Sequence, residues 1–230
     1  MLTQNLKNVQ NRIEAACRRA GRNPEEVTLV AVSKTKPLGD IEELIPAGQL
    51  DFGENYVQEL CAKAEQVSRP VRWHMIGHLQ RNKVKYIVDK VELIHSVDSL
   101  SLAEQIEKEA ARRSLAVNVL IQVNVAREET KFGLESGEVT GLLEKISLLP
   151  HVHVAGLMTS APYVADPEEN RCYFKKLHKL FVDIRAKNIN NIDMRILSMG
   201  MTNDYEIAVE EGATMVRVGT GIFGERNYNR

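Results

Sequence analysis

A lysine stands at the end of the first apolar run of the sequence. Lys34 follows residues 27–33, VTLVAVS, and precedes Thr35, Lys36 and Pro37. A lysine partly desolvated at a strand end has a lowered pKa, and its free amine can form a Schiff base with an aldehyde. A lysine that merely extends along apolar surface to reach solvent also fits, and position alone favours that interpretation. Lys36 has the same parity along the strand, but Lys34 lies nearer the apolar run and is predicted to be the deeper residue.

Two later segments combine glycine with hydroxyl and cationic side chains. In residues 198–204, SMGMTND, Gly200 allows close backbone approach, and Thr202 or Asn203 can cap the helix that follows. Residues 217–221, RVGTG, supply an arginine, a hydroxyl and two glycines. Backbone N–H groups at a helix start, with small residues beside them, form phosphate sites. The glycines could serve only tight turns, but two such segments together favour a phosphate site.

A nucleophilic amine opposite a phosphate site suggests a phosphorylated carbonyl compound as the ligand. Aldolases that act on sugar phosphates fit this description, and so does a site for pyridoxal phosphate. The residues by themselves leave both possibilities open.

The segments that must position these residues alternate between two patterns. Short β-branched runs predict strands, and the longer amphipathic stretches between them predict helices. The eight strand-like runs are 27–33, 50–54, 71–77, 91–97, 115–125, 152–158, 193–200 and 213–221. The helix-like segments are about 38–47, 55–67, 79–89, 99–113, 136–148, 167–187 and 203–211, after an opening helix over 3–20.

Eight strand–helix units predict an α/β protein with a single (β/α)8 TIM barrel over residues 1–230. The runs near 27, 115 and 213 are apolar on both faces, as expected for parallel strands covered on both sides. Residues 1–22 are predicted to form an extra helix that packs on the barrel. Active sites of such barrels lie at the carboxyl ends of the strands, and phosphate often binds after strands 7 and 8. Lys34 and both glycine segments fall at those ends.

Composition excludes several classes of protein. Lys and Arg total 30 and Asp and Glu total 31, so the net charge of −1 offers no bulk attraction to nucleic acid. Hydrophobic residues make up 43%, which is too many for a disordered chain of this low net charge. No run approaches the ~18 apolar residues of a membrane span. No secretory signal is visible, and we expect a cytoplasmic protein without a nucleic-acid or membrane partner.

Cysteine and histidine give no support for a disulfide framework or a metal site. Cys17, Cys61 and Cys172 are widely spaced and odd in number, which predicts free thiols in a reducing compartment. His151 and His153 share one strand face, but at the amino-terminal end of strand 6 and without a neighbouring carboxylate, so no metal is predicted. His74 is expected to be a satisfied core or pocket residue. Solvated faces are expected for the basic cluster Arg81, Lys83 and Lys85 and for residues 206–211.

Six strings of the sequence closely resemble the pyridoxal phosphate homeostasis protein family, also called the YggS or PROSC family. The resemblance runs in order along essentially the whole chain. The strings are AVSKTKP (31–37), FGENYVQE (52–59), WHMIGHLQRNK (73–83), GLMT (156–159), LSMGMTNDYEIAVEEG (197–212) and MVRVGTGIFGER (215–226).

The resemblance implies a barrel related to the amino-terminal domain of alanine racemase, with pyridoxal 5'-phosphate (PLP) bound covalently to Lys34 as an internal aldimine. It implies that Lys36 and Lys131 match family lysines outside the main Schiff base, for which a transfer role is a hypothesis. The other implied cofactor-binding residues hold the phosphate (Ser198, Thr202, Gly219, Thr220), lie near the ring or phosphate (Arg217), or line the pocket (Asn55, Met199).

The resemblance also separates a carrier from an enzyme. Racemases of the related fold use a second acid–base tyrosine from a carboxyl-terminal domain of a partner subunit, and nine residues after Gly221 leave no room for it. We therefore expect a non-catalytic carrier in vitamin B6 homeostasis that holds PLP and supplies it to apo-enzymes, as a monomer, although the opening helix could make a dimer contact. A weak amino-acid racemase, with His78 or Tyr205 as second proton donor, a Schiff-base aldolase, and a barrel that binds nothing are the alternatives.

Overall fold

The structure, a computed structural model, describes residues 1–128 and 130–225. Glu129, in the loop predicted over 125–135, lies outside the described residues. So do residues 226–230, which include Arg226 of the last family string.

The described residues form a closed barrel of eight parallel strands that follow one another in sequence order. This confirms the predicted (β/α)8 fold. The strands are β1 (Thr28–Val32), β2 (Asp51–Glu54), β3 (Arg72–Met75), β4 (Leu93–Val97), β5 (Val117–Gln122), β6 (Val152–Met158), β7 (Ile192–Ser198) and β8 (Met215–Val218).

Helices surround the barrel, and several predicted helices begin or end in a tighter 3₁₀ turn. The α-helices are α1 (Leu2–Arg19), α2 (Leu38–Leu44), α3 (Val57–Gln66), α4 (Val84–Ile87), α5 (Leu100–Ala111), α6 (Val139–Ile146), α7 (Arg171–Ala186), α8 (Tyr205–Glu210) and α9 (Thr220–Phe223). The 3₁₀ turns are Pro24–Glu26, Ile45–Ala47, Arg81–Lys83 and Pro167–Asn170. Within the described residues, no helix has both the length and the apolar character needed to cross a bilayer.

The last predicted strand was wrong in its second half. The run 213–221 suggested one strand, but β8 ends at Val218 and the chain turns into α9. The amides of Ile222 and Phe223 both donate to the carbonyl of Gly219, at 2.9 Å. The apolar run of β8 stops at Val218, and residues 219–221, Gly-Thr-Gly, which the prediction added to the strand, form the turn into α9.

Inward-facing positions of the barrel are only partly apolar. A small apolar cluster is formed by strand residues alone: Val30, Leu93, Leu120, Ala155, Met158 and Met215. Polar side chains occupy other buried strand positions: Asp51, His74, His95, Ser198 and Arg217. The barrel therefore has a polar as well as an apolar interior.

The opening helix packs on the outside of the barrel. α1 buries Leu6, Val9 and Ile13 and packs against α2, α8 and α9. Asn5 Nδ2 donates to the carbonyl of Ile222 at 2.9 Å. α8 and α9 follow β7 and β8, which are joined by the register pair Ser198–Met215. The helix thus spans the place where the last two strands meet.

Candidate functional site

The carboxyl ends of the strands surround a cavity of about 570 Å³. That volume lies within the usual range for small-molecule sites. Six of the eight predicted cofactor-binding residues line it: Lys34, Asn55, Thr202, Arg217, Gly219 and Thr220. The other two, Ser198 and Met199, are completely buried and are not among the lining residues. Val32, Ile76, Tyr163 and Met201 also line the cavity and were not predicted to do so.

Lys34 lies in a tight turn directly after β1. The Lys36 amide donates to the carbonyl of Ser33 at 3.0 Å, which closes the turn around Lys34 and Thr35. Thr35 has a φ of +63°, a left-handed conformation that is strained for a β-branched residue. The Thr35 amide donates to Glu59 Oε1 at 2.6 Å, and this charged bond helps to hold the strained backbone. Lys34 itself is half-buried.

A buried ammonium group holds this turn from behind. Lys63 Nζ lies 2.7 Å from the carbonyl oxygen of Ser33, from Glu54 Oε1 and from Glu59 Oε1. Glu54 is fully buried, and its Oε1 also accepts a bond from Ser33 Oγ at 2.6 Å. Burial raises the pKa of Glu54, while the contact with Lys63 acts in the opposite direction. We call the turn 33–36 with Glu54, Glu59 and Lys63 the amine wall.

Sequence reasoning missed the support given by Lys63. Glu59 and Lys63 have the i, i+4 spacing of an ordinary exposed helix pair. Lys63 is only 7% exposed, however, and its contact with Ser33 spans 30 residues of sequence. A signal was present only in the apolar neighbours Val57 and Leu60, which place the same helix face against the barrel.

Asn55 reaches the cavity because a glycine, Gly77, follows β3. A Cβ atom at Gly77 would lie 2.4 Å from the carbonyl oxygen of Asn55, so only glycine fits this approach. Ile76 beside it donates its amide to the carbonyl of Glu54 at 3.0 Å. The ends of β2 and β3 are thereby fixed together beneath the cavity.

The segments after β7 and β8 meet beside the amine wall, because β8 is the barrel neighbour of β1. Thr202 Oγ1 accepts bonds from the amides of Gly219 at 3.3 Å and Gly221 at 3.4 Å. Gly200 has a φ of +91°, and a Cβ there would lie 2.5 Å from Cβ of Ala208. Residues 200–204 and 219–221, which we call the anion wall, contain small residues, a hydroxyl and the start of α9. This arrangement suits a phosphate group.

Buried Asp204 fixes the first segment of the anion wall. Its Oδ1 accepts the amide of Met201 at 2.7 Å, and its Oδ2 accepts Asn170 Nδ2 at the same distance. The carboxylate therefore ties the loop after β7 to the start of α7. Asp204 was not predicted to have a role at the site.

Arg217 lies between the two walls and carries a buried charge. It is 4% exposed, and burial lowers its pKa to about 10. Its guanidinium donates to Ser198 Oγ at 2.6 Å and to the carbonyl of Thr159 at 2.8 Å. Since even the lowered pKa lies well above neutrality, Arg217 presents a positive charge to the cavity.

The two secondary lysines bind backbone carbonyl groups at the rim of the cavity. Lys36 Nζ donates to the carbonyls that follow α9, those of Phe223, Gly224 and Glu225, at 3.1–3.2 Å. Lys131 Nζ donates to the carbonyls of Ser160 and Ala161 at 3.3 and 2.9 Å. Both amines hold chain segments in place. A transfer role for them stays a prediction.

The histidines and the tyrosine weighed from the sequence lie elsewhere. His78 stacks on Phe132 with ring centroids 3.9 Å apart, and Tyr205 is buried, so neither is among the lining residues. His151 bonds Glu107 at 2.6 Å, a carboxylate that is distant in sequence, and His153 bonds Asn191 at 2.8 Å. Among the described residues, no group of three His, Cys, Asp or Glu side chains is arranged to hold a metal.

Comparisons with known proteins show similarity over the whole length. Residues 4–227 match the family model described as alanine racemase, N-terminal domain. A curated relative from Aquifex aeolicus, named pyridoxal phosphate homeostasis protein, is 46% identical over 226 residues, which are 98% of each chain.

Two solved structures share the fold. An unknown protein from Bifidobacterium adolescentis superposes with a TM-score of 0.92 at 39% identity, over 96% of this chain and 94% of that one. PipY of Synechococcus elongatus, solved with PLP bound, superposes with a TM-score of 0.85 at 32% identity, over 97% of this chain and all of PipY.

Proposed function

The chain belongs to the pyridoxal phosphate homeostasis protein family, and from this membership we propose that it binds pyridoxal 5'-phosphate in the cavity at the barrel mouth. The observation that carries the proposal is the pairing of two walls around one cavity. The amine wall presents Lys34, and the anion wall presents a hydroxyl and backbone amides. PipY, solved with PLP bound, supports the same ligand.

The residues present fit each part of this cofactor. Lys34 would bond to the aldehyde carbon as a Schiff base, with the aldehyde oxygen leaving as water. Thr202, Gly219 and Thr220 would hold the phosphate, with Ser198 predicted beside them. Bound through an amine, pyridoxal phosphate supplies an electron sink for carbanions. We propose that Arg217 faces the ring or phosphate, and that Asn55 and Met199 complete the pocket.

The role we propose is that of a carrier and not of a catalyst. A carrier must bind the aldehyde, protect it and release it, and one amine with an anion site is sufficient for that. Its partners are then pyridoxal phosphate and the apo-enzymes that need it, with neither nucleic acid nor membrane involved. We propose a cytoplasmic monomer, and the three free cysteines fit a reducing compartment.

The test is a visible absorption spectrum of the protein mixed with PLP and freed of excess ligand. We expect an absorption band that shifts on borohydride treatment, and peptide mapping of the reduced protein should locate the label on Lys34. Lys34→Ala should lose the label, whereas Lys145→Ala, at an exposed lysine of α6, should keep it. A Lys34→Ala protein that keeps the wild-type amount of label would exclude Lys34 as the principal site.

Carrier function needs a second measurement. The loaded protein should reactivate a PLP-dependent apo-enzyme in the presence of a scavenger that consumes free PLP. Reactivation that stops completely when the scavenger is added would show release into solution and not direct supply.

A weak amino-acid racemase is the alternative, and one observation favours it. Tyr163 lines the cavity with a side chain that is 91% exposed, so a phenol able to exchange a proton lies at the site. This alternative predicts deuterium uptake from solvent at Cα of some amino acid, reduced in Tyr163→Phe. A broad amino-acid screen without uptake would eliminate it.

A further inference from the structure

A continuous row of buried side chains crosses the barrel behind Arg217. His95 Nδ1 lies 3.1 Å from Ser198 Oγ, and His95 Nε2 lies 3.0 Å from His74 Nδ1. His74 Nε2 lies 3.1 Å from Asp51 Oδ1. Arg72 closes the row with two bonds to the Asp51 carboxylate, at 2.7 and 2.5 Å. The row joins the cavity to the amino-terminal end of the barrel, where Arg72 is half-exposed.

The ionic state of Asp51 sets the direction of the bond at its end of this row. Burial raises the pKa of Asp51, but the bonds from His74 and Arg72 outweigh burial and leave the pKa below its ordinary value. The carboxylate therefore only accepts, and His74 must donate from Nε2. With that proton on Nε2, the Nδ1 atom of His74 can accept from His95 Nε2, 3.0 Å away.

The same reasoning extends to the cavity. Burial, with the charge of Arg217 adding to it, holds the pKa of His95 well below its ordinary value, so its ring is neutral. With its proton on Nε2, His95 accepts at Nδ1 from the hydroxyl of Ser198. The lone pairs of Ser198 then face Arg217, which can only donate. This one arrangement satisfies Ser198, His95 and His74, and each of the three donates away from Arg217, toward Asp51.

This arrangement, with the charge of Asp204 nearby, favours the charged form of Arg217 at 4% exposure. The guanidinium donates to neutral acceptors: Ser198 Oγ, the Thr159 carbonyl and, at 3.4 Å, Ser160 Oγ. The aligned dipoles of Ser198, His95 and His74 turn their negative ends toward the guanidinium. Fully connected networks of this kind fix one geometry, because each member lacks an alternative partner in the apolar surroundings.

We propose that His95 is a positioning residue of the ligand site, which acts through Ser198 to hold the Arg217 guanidinium at the cavity and, through His74 and Asp51, anchors it to the opposite end of the barrel. Only the identity of the ligand rests on the proposed function. The proposal also assigns the Ser198 hydroxyl to bonds with His95 and Arg217. The role predicted for Ser198 from the sequence was a phosphate contact.

The first arm of the test uses the wild-type protein without ligand. The ¹⁵N chemical shifts of the imidazole nitrogens distinguish the two neutral tautomers of histidine. We expect a proton on Nε2 of both His74 and His95, with Nδ1 of each ring accepting a hydrogen bond. A proton on Nδ1 of either ring would overturn the proposal. This arm does not depend on PLP, so it remains decisive even if the wild-type protein binds none and the proposed function fails.

The second arm compares two substitutions of similar size, of which only one keeps polar atoms at the end of the side chain. His95→Asn keeps an acceptor near the position of Nδ1, whereas His95→Leu removes it. We expect PLP affinity to fall about tenfold in His95→Leu, as for loss of one buried hydrogen bond, and less than about threefold in His95→Asn. The control His153→Leu, at a half-buried strand histidine, should stay within about twofold.

Each result of the second arm decides the question. Equal affinity of His95→Leu and the wild type, or equal losses in His95→Leu and His95→Asn, would overturn the proposal. Urea unfolding of each variant establishes that the compared proteins are folded. If His95→Leu does not fold, Ser198→Ala replaces it, with the same tenfold loss expected and an unchanged affinity as the contrary result.

Discussion

The amine wall and the anion wall face the same cavity but are built in different ways. Charged side chains hold the amine wall, where Lys63 joins a turn 30 residues earlier to two carboxylates. The anion wall depends on glycines, on bonds between one hydroxyl and two amides, and on the single carboxylate of Asp204. The comparison indicates that ion pairs mainly hold the turn around Lys34, whereas close backbone packing and neutral bonds mainly hold the anion wall.

The largest effect is expected from breaking the frame of the amine wall. Lys63→Met leaves the buried carboxylate of Glu54 without its cation and frees the Ser33 carbonyl. Removing one partner of a buried ion pair costs about 3–5 kcal/mol of the free energy of unfolding. Urea denaturation measures this loss directly.

The matched control is Lys145, an exposed lysine in α6. Lys145→Met should change the free energy of unfolding by less than about 0.5 kcal/mol. A loss in Lys63→Met no larger than in this control would mean that the charges do not hold the wall.

A smaller loss is expected from filling the space that the anion wall needs. Gly200→Ala places a methyl group in a left-handed backbone conformation and within 2.5 Å of Cβ of Ala208. Strain and overpacking together should cost about 2–3 kcal/mol. Gly141→Ala, in α6 with open space around it, should instead be neutral or stabilising in the same unfolding experiment.

Lys36 connects the two walls, and its removal should affect ligand binding more than folding. Lys36→Met releases the carbonyls of Phe223, Gly224 and Glu225 at the end of α9. We expect a loss of about 1 kcal/mol in the binding free energy of PLP, or roughly fivefold in affinity. Equilibrium titration checks this value. A borohydride-reduced label that stays on Lys34 in the variant would show that Lys36 supports the site and is not the point of PLP attachment.

The smallest effect tests the hydroxyl of the anion wall. Thr202→Val keeps the shape of the side chain and removes the acceptor of two long bonds. Affinity for PLP should fall about threefold, in keeping with ~0.7 kcal/mol for weak neutral hydrogen bonds. Thr202→Ser should restore most of the binding. Equal PLP affinity of the valine and serine variants would show that the Thr202 hydroxyl does not contribute to binding.

The sequence was sufficient for the barrel because each strand and helix carries its own periodic signal. It was also sufficient to bring Lys34, Thr202 and Gly219 to one cavity, since barrel geometry places all strand ends on the same face. Lys63 and His95 could not be found in this way. Their roles depend on which buried partner each side chain meets, and that information lies in strand register and helix packing, not in local pattern.

The packing of α1 against α8 and α9 has a consequence for how the chain folds. During synthesis, α1 emerges before the barrel, and two of the helices that pack on it, α8 and α9, are made some 185 residues later. The part of its apolar face that they cover must therefore stay uncovered until almost the whole barrel has been translated. Long-range closure of this kind slows folding and exposes intermediates to aggregation. The apolar face of α1 is thus open to a chaperone for most of the time during which the barrel is made.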